Sequence, residues 1–426
     1  MKTFSLYKEI LFLLLVAGSP LRPLAQDENR LPNIQGIVLC QSGNPTGYPI
    51  INLGNTNTLS LEFDDLEGGI KNYSYTYQLC NADWTPAQLS YFDFIQGFTS
   101  NRLMNYKMSS IAATPYTHYA LVFPESSFLP TKSGNFLLKV FLDGDTSRLA
   151  FSRRILVVDN KVNITMAMQQ PYSAEKIRTH QKLQFSVNTS ALQIVNPERQ
   201  IQVTVLKNYR WDVPVTGAQP SFIRGNMYEY NGEQNFVIPA GKEYRWIDLT
   251  SFRFVSDRVK SIDQNTAPFK VYAMVDRERL NTEYLPYQDY NGFFFIKASE
   301  QITPSFQGDY GMVHFVYQNE DKTAFPDRNV YIVGQFNNYN CDAHSLLRYN
   351  ADSGYYEINI LLKQGYYNYI YVTKPIDSPS APDDASVTEG DYWETENDYS
   401  VLVYYRSLNN RYDELVGCKT INTRIK

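Results

Sequence analysis

The chain consists of short stretches in which hydrophobic and polar residues alternate, separated by Gly, Asn, Asp and Pro. In the segment 73–79, four large side chains alternate with three polar ones, which predicts a strand with one buried face. The segment 136–142 is almost continuously apolar, as expected for a strand that is buried on both faces. We find no long segment with the 3.6-residue period of an amphipathic helix. The pattern therefore predicts an all-β fold.

Similar predicted strands recur along the rest of the chain, at 154–158, 201–205, 245–249, 270–275, 293–296, 313–317, 330–336, 356–362, 367–372 and 400–406. Turn residues near 159 and a stretch without alternation at 298–307 divide them into three groups. Many short strands joined by turns are typical of β-sandwiches. We predict tandem immunoglobulin-like or early-set β-sandwich domains, with an N-terminal domain at 26–159, a middle domain at 160–300 and a C-terminal domain at 305–426.

The first 25 residues have a different pattern. Lys2 and Lys8 precede the apolar run 10–17, and small residues and prolines follow it. Positive charge before a short apolar core is typical of a secretory signal, and this run is about half the ~20 residues of a membrane span. We predict a signal peptide at 1–25 and an exported protein.

Composition excludes several classes of protein. The 34 Tyr, 24 Phe and 4 Trp make the chain 15% aromatic, which suits pleated sheets better than helices. A formal net charge of -5 argues against a nucleic-acid binder, because such proteins need a concentrated basic face. Charged residues make up only 19% of the chain, too few for a disordered protein.

Catalytic and metal-binding motifs do not emerge from the sequence. The four histidines are scattered, at 118, 180, 314 and 344, and none has a zinc-ligand spacing. The adjacent acids Asp64 and Asp65 are predicted to be solvated turn residues, as are those at 383–384. We predict no catalytic residue, no metal site and no cofactor.

The four cysteines leave two possibilities open in an exported protein. Cys40 could form a disulfide with Cys80, and Cys341 with Cys418, or all four could be buried thiols.

Two local clusters in the first third of the chain are candidates for a structural role or for contact with a partner. Asn81, Asp83 and Trp84 follow the predicted strand at 73–79, where short polar side chains close turns and a Trp can cover the edge of a core. Tyr116 and His118 lie in an extended segment that enters a strand. A structural role is the simpler interpretation of both clusters, and contact with a partner is the alternative.

A third cluster, Phe336, Asn337 and Asn338, forms a predicted turn between aromatic strands. Aromatic rings around such a turn could stack on a sugar, or they could simply fill a small sandwich.

In their order and spacing, these clusters resemble the plug protein family of the type IX secretion system of Bacteroidetes. The matching motifs are at 79–84, 115–119, 131–136, 244–248, 251–254, 290–292, 333–338, 354–357, 363–367, 396–399 and 403–406. The resemblance extends over about 30–420, which is nearly the whole predicted mature chain.

The resemblance implies a non-enzymatic periplasmic subunit, associated with the outer membrane, that seals the periplasmic opening of a large outer-membrane β-barrel translocon. That barrel is the implied partner, and neither nucleic acid nor a small-molecule substrate is implied.

The segment 334–338 also resembles the early-set modules that bind glycogen, which usually carry Trp where this chain has Tyr339. The alternative function is therefore an exported carbohydrate-binding protein that uses its C-terminal aromatic β-sandwich. A third possibility is a secreted cargo protein, although the tail 416–421 does not resemble a cargo sorting domain.

Overall fold

A computed structural model of the protein describes residues 27–424, so the predicted signal peptide at 1–25 lies outside the described residues. Strands account for 45% of the structure and helices for 5%, which confirms the predicted all-β fold of tandem β-sandwiches. Among residues 27–424, no helix combines the length and the hydrophobicity needed to span a membrane.

The strands are β1 (Ile34–Gln41), β2 (Ile50–Asn52), β3 (Leu59–Asp65), β4 (Tyr73–Cys80), β5 (Ile95–Gln96), β6 (Asn101–Arg102), β7 (Asn105–Met108), β8 (Thr117–Phe123), β9 (Leu129–Pro130), β10 (Gly134–Leu142), β11 (Leu149–Val158), β12 (Asn163–Gln169), β13 (His180–Asn188), β14 (Ile201–Lys207), β15 (Val215–Thr216), β16 (Phe222–Arg224), β17 (Met227–Tyr230), β18 (Val237–Pro239), β19 (Arg245–Asp248), β20 (Val259–Asp263), β21 (Phe269–Ala273), β22 (Asp276–Arg277), β23 (Phe294–Ile296), β24 (Tyr310–Gln318), β25 (Arg328–Val333), β26 (Leu346–Asn350), β27 (Tyr355–Lys363), β28 (Gly365–Pro375), β29 (Asp398–Tyr405) and β30 (Glu414–Asn422). The helical segments among the described residues are single turns: α1 (Pro197–Gln200), α2 (Glu233–Phe236), α3 (Pro304–Gln307) and the 3-10 turns Tyr91–Asp93 and Gln335–Asn337.

The first unit, residues 34–158, is a sandwich of two sheets with strand orders β1-β3-β8-β7 and β2-β11-β10-β4-β6. Its core is aromatic. The segment 73–79 forms β4 as its alternation predicts, and Tyr73, Tyr75 and Tyr77 are each at most 1% exposed. Their rings pack against Phe and Tyr side chains of both sheets, as between Phe63 and Tyr73 with ring centroids 5.2 Å apart.

The second unit is built from two separate parts of the chain, 163–239 and 398–422. One sheet has the order β12-β13-β17-β16 with β18 beside β13, and the other has the order β15-β14-β29-β30. β14 pairs with β29 along its whole length, from Ile201 opposite Tyr405 to Lys207 opposite Tyr399. Val203 and Val401 then meet in one hydrophobic core, which closes this unit.

The third unit, residues 245–375, is inserted into the second. Its main sheet runs β19-β28-β25-β26-β27-β24-β21-β20, with β22 beside β24 and β23 beside β28. The sheet folds over one core, because Ile247 and Val271, near its two ends, belong to the same buried cluster as Phe315 and Tyr371.

The strand pairing divides the chain differently from the predicted boundaries at 160–300 and 305–426. β29 and β30 complete the second unit, although they lie in the predicted C-terminal domain, and β19 to β23 belong to the third. The physical reason is burial: apart from the two-residue β22, Asp276–Arg277, each of these strands contributes apolar residues to the core of the unit whose sheet it joins. The stretch 298–307, predicted to be a linker, lies within the third unit and contains α3.

Candidate functional site at the unit junctions

Trp84 lies where the first unit meets the second. The turn at 81–85 is closed by its own side chains: the carboxylate of Asp83 accepts hydrogen bonds from the backbone N–H and the hydroxyl of Thr85, at 2.9 and 2.6 Å, and the amide of Asn81 donates to the same hydroxyl at 3.0 Å. Trp84 has a φ of +66° and is only 6% exposed. Its ring meets that of Trp211 edge to face, with centroids 4.9 Å apart. The turn therefore places an aromatic anchor between two units.

Buried hydrogen bonds join the first and second units around this turn. The backbone N–H of Ala82 donates to the Asp413 carboxylate at 3.0 Å, and the hydroxyl of Tyr404 donates to the Asn135 amide oxygen at 2.8 Å. The guanidinium of Arg406 bonds both Asp413, at 2.7 Å, and the side-chain oxygen of Asn81, at 3.0 Å. Satisfied polar groups at a buried contact fix one relative orientation of the two units.

A buried ion pair joins the first and third units. The ammonium of Lys363, at the end of β27, bonds the carboxylate of Asp64 in β3, and both side chains are at most 2% exposed. The hydroxyl of Tyr310 donates to the same carboxylate at 2.6 Å, and His118 Nδ1 lies 2.7 Å from its other oxygen. Tyr116 covers the pair: its ring centroid is 4.3 Å from the Lys363 ammonium, and its hydroxyl donates to the Gly308 carbonyl at 2.8 Å.

The electrostatics of this junction follow from its burial. Burial lowers the pKa of Lys363, and the neighbouring Asp64 carboxylate opposes that shift. Burial also raises the pKa of Tyr310 and of Tyr116, so both hydroxyls stay protonated and can donate.

The prediction that Asp64 and Asp65 are solvated turn acids is wrong. Both lie in β3 and are at most 1% exposed. Asp65 accepts hydrogen bonds from Tyr73, at 2.8 Å, and Asn33, at 2.7 Å, and pairs with Lys71 at 2.7 Å. A buried carboxylate needs such partners. Those of Asp65 lie within 32 residues along the chain, whereas Tyr310 and Lys363, which bond Asp64, are 246 and 299 residues away.

The turn at 334–338 is closed from within. The amide oxygen of Asn337 accepts from the Gly334 N–H at 3.0 Å, and its amide nitrogen donates to the Ile332 carbonyl at 2.9 Å. Phe336 packs edge-on against Tyr367, and Asn338 adopts the left-handed conformation with a φ of +53°. Since both ends of the Asn337 amide are bonded to backbone, that side chain stabilises the turn and is not free for a sugar.

A cleft of about 310 Å³ lies where all three units meet, at the lower end of the range for ligand pockets. Its lining combines aromatic rings, amides and charges of both signs: Asp27, Ile37, Val38, Leu39, Pro49, Arg153, Arg154, Tyr209, Trp211, Asp212, Phe294, Gln335, Asn338, Tyr339 and Asn340. The Arg154 guanidinium lies over the rings of Trp84 and Trp211, at 4.9 and 5.7 Å, and pairs with Asp27 at 2.9 Å. Of the residues singled out from the sequence, Asn338 lines this cleft, and Trp84 lies directly behind it.

A buried network of charges joins the third unit to Glu389, which lies in the segment between β28 and β29. Arg245 bonds Glu389 at 3.0 Å and Asp276 at 3.2 Å, and Arg279 bonds Glu389 at 2.7 Å. Burial raises the pKa of Glu389, but the guanidinium groups of Arg245 and Arg279 more than offset it and hold that pKa at about 2. The hydroxyls of Tyr369 and Tyr371 donate to Asp276 at 2.9 and 3.0 Å. Every charge in this network therefore has a partner.

All four cysteines, at 40, 80, 341 and 418, are free thiols. Burial raises the pKa of Cys80, of Cys341 and of Cys418 to about 12, which keeps these thiols protonated and unreactive. Within residues 27–424, no group of three or more His, Cys, Asp or Glu side chains is placed to hold a metal ion.

The sequence-selected residues fall mainly at the junctions. Three of them contact another unit directly: Asn81, Trp84 and Tyr116. His118 supports such a contact through Asp64, and Asn338 lines the cleft. Asp83, Phe336 and Asn337 instead stabilise their own turn or core.

The partners of these residues on the other units were not predicted from the sequence. No local sequence pattern identifies three of these partners as junction residues: Tyr310, Trp211 and Asp413. The one available signal is the position of Lys363 directly after the apolar run 360–362, where a charge on a buried strand requires a partner.

Comparisons with known proteins agree with this architecture. A family model described as "Type 9 secretion system plug protein 1st domain" matches residues 34–159, which span the first unit. The crystal structure of a hypothetical protein from Parabacteroides merdae ATCC 43184 is similar over 93% of this chain and 98% of its own, with a TM-score of 0.88 and 31% sequence identity. A comparison with curated proteins gave no match.

Proposed function

This chain belongs to the type 9 secretion system plug family, and we propose that it seals the periplasmic opening of the outer-membrane translocon of that system. The family is associated with secretion rather than catalysis, which suggests a location in the cell envelope. In this proposal the protein lies in the periplasm against the outer membrane, and its partner is the translocon barrel.

The observation that supports the proposal best is the stiffness of the junctions. Units joined within one chain usually move relative to each other, because the interfaces between them are small and polar. Here the Asp64–Lys363 pair is buried, as are the hydrogen bonds from Ala82 to Asp413 and from Tyr404 to Asn135 beside Trp84, so opening either junction would expose or orphan several polar groups. A body that blocks a wide pore must resist deformation, and these contacts provide that resistance.

The test is the permeability of the outer membrane. We expect deletion of this protein to make cells sensitive to large hydrophilic antibiotics when other occupants of the translocon are also absent. Additional deletion of the barrel should restore resistance, since the leak then has no pore. Cells that stay impermeable without the plug and the other occupants would show that sealing is not its function.

Purification of the tagged protein from membrane extract gives an independent test. We expect one very large barrel protein to accompany it in roughly equal amount. Recovery of the plug without any outer-membrane protein would contradict the proposed partner.

The carbohydrate-binding alternative has less support from the geometry. A sugar at the 334–338 turn would need the Asn337 amide, which is bonded to its own backbone. Glycan-array binding by the whole protein would favour this alternative despite that arrangement, and an empty array would remove it.

A further inference from the structure

The first unit presents an unusual concentration of exposed apolar side chains. The described residues contain 22 exposed large hydrophobic residues, and six of them lie within the twenty positions 92–111. We call these six the apolar edge: Phe92 (70% exposed), Phe98 (83%), Met104 (72%), Tyr106 (39%), Met108 (59%) and Ile111 (62%). Isolated exposed hydrophobic residues are common, but a contiguous group is typical of an interaction surface.

The apolar edge results from the way this segment closes the sandwich. The chain leaves β4 in one sheet and returns through β6 and β7, the last strands of the two sheets. Phe94, Ile95 and Leu103 point inwards and are at most 6% exposed, so they fill the open side of the core. The intervening large side chains are left in solvent, although nothing in the core requires them to be apolar.

Strand β7 adds backbone groups that have no partner strand to this surface. It pairs with β8 on one side only, from Asn105 opposite Ala120 to Met108 opposite Thr117, and all four of its residues are exposed. Among the described residues, no strand pairs with its other side. A free strand edge is a template for an added strand, and soluble proteins usually protect such edges.

The apolar edge lies at the end of the first unit opposite the cleft, although its last residue, Ile111, is next to the third unit, where its backbone N–H donates to the Gln307 side chain at 3.2 Å. The strand orders place β1 and β2 at one end of the two sheets and β7 and β6 at the other. The cleft uses the β1 end, through Ile37, Val38 and Leu39. The apolar edge can therefore bind a partner while that cleft stays closed.

The charge of this surface indicates the chemistry of the partner. Within 92–111 the charged residues are Asp93, Arg102 and Lys107, a net positive charge on a chain whose total is -5. Asp93 accepts a hydrogen bond from the Ser90 N–H at 3.0 Å. Neither Arg102 nor Lys107 makes an ion pair with a described residue: the Arg102 guanidinium donates to the Asn72 amide oxygen, and the Lys107 ammonium lies 4.5 Å from the centroid of the Phe306 ring in the third unit. A complementary segment would carry carboxylates beside its apolar residues.

We infer that the apolar edge is the surface that binds the translocon barrel, an inference that rests on the proposed sealing role. The occupant is an extended segment of the barrel's periplasmic rim, which adds a strand alongside β7. Its alternate apolar side chains contact Tyr106 and Met108, and its carboxylates pair with Arg102 and Lys107.

The test compares two double variants of the full-length protein. Tyr106→Asp with Met108→Asp places charge on the apolar edge. The matched control, Phe222→Asp with Ile223→Asp, changes two residues of β16, another exposed edge strand, which are 55% and 46% exposed. We expect the first variant to recover at least about tenfold less barrel protein from membrane extract, and the control to recover as much as the unchanged protein. Equal recovery by the two variants would overturn the inference.

A photo-crosslinking residue at position 104 identifies the occupant. Crosslinks to a periplasmic segment of the barrel, with none from position 222, are the expected result. Crosslinks to lipid alone, or to another protein, would overturn the inference. Failure of the proposed function gives a different result: in that case the unchanged protein itself would recover no barrel protein from membrane extract.

Folding of each variant is checked by its urea unfolding midpoint, which should match that of the unchanged protein because the altered side chains are exposed. If the double variant Tyr106→Asp with Met108→Asp unfolds the protein, the single variant Lys107→Glu replaces it in the test. We expect it to lower barrel recovery by about tenfold through repulsion of the carboxylates. Unchanged recovery with Lys107→Glu would also overturn the inference.

Discussion

Lys363 is the single side chain on which the junction of the first and third units most depends. A buried ammonium is stable only with a counter-charge, and its ion-pair partner is Asp64 of the other unit. Replacing both charges costs little in many proteins, whereas removing one leaves the other uncompensated.

We therefore predict that Lys363→Met lowers the free energy of unfolding by about 3–5 kcal/mol, because the Asp64 carboxylate loses its buried counter-charge. Adding Asp64→Asn should recover part of the loss, since no unpaired charge then remains. Urea unfolding of the two single variants and the double variant measures the coupling. A double variant whose loss equals the sum of the single losses would contradict this account of the pair.

Asp289 should make stability depend on pH near neutrality. Burial raises its pKa from 3.8 to about 7, although the carboxylate accepts hydrogen bonds from the backbone of Tyr244 and Asn291. An acid whose pKa is higher in the folded state binds a proton on folding, so its contribution to stability falls as pH rises from about 4 to about 7. The slope is at most about 1.4 kcal/mol per pH unit. We expect Asp289→Asn to flatten urea midpoints between pH 4.5 and 7.5, and the exposed control Asp352→Asn to leave the slope unchanged.

At the scale of elements, the turn at 81–85 does more than connect β4 to the following loop. It places the Trp84 ring against Trp211 and under the Arg154 guanidinium, so a local turn positions a contact between two units. Leu206 and Leu402, from the second unit, belong to the same buried cluster.

We predict that Trp84→Ala destabilises the protein by about 3–5 kcal/mol, because it empties a buried site that the surrounding strands cannot fill. The loss should fall on the junction, so calorimetry should resolve separate melting of the first unit. Phe98→Ala, at an 83% exposed position, is the control and should change stability by less than about 0.5 kcal/mol. Retention of a single transition in Trp84→Ala would contradict the role given to this turn.

Strands were predictable from the sequence because their signal is local. The alternation at 73–79 and the apolar run at 136–142 correspond to β4 and β10, since burial of one or both faces acts on neighbouring residues. Junctions were not predictable in the same way. Asp64 and Lys363 are 299 residues apart, and no pattern within either strand tells which distant charge will meet it.

For the whole molecule, the insertion of the third unit into the second changes how the chain is held together. β29 and β30 are the last strands, yet they complete a sheet that begins with β14. The chain therefore leaves the second unit after β18, builds the third, and returns. The second unit is therefore complete only after the chain has passed through the third, which favours a single stiff body over a string of independent domains.

This topology predicts the result of a truncation. A chain that ends at Asn397 lacks β29 and β30. Val203 and Val205 of β14 then lose their paired strand, β29, which lies about 200 residues further along the chain. We expect loss of amide protection in 163–239, measured by hydrogen exchange, while the first unit stays protected. A chain that ends at Thr423 keeps both strands and should exchange like the full-length protein. Protection that was lost only within 245–375 would mean that the C-terminal strands belong to the third unit, as the sequence boundaries at 160–300 and 305–426 had indicated.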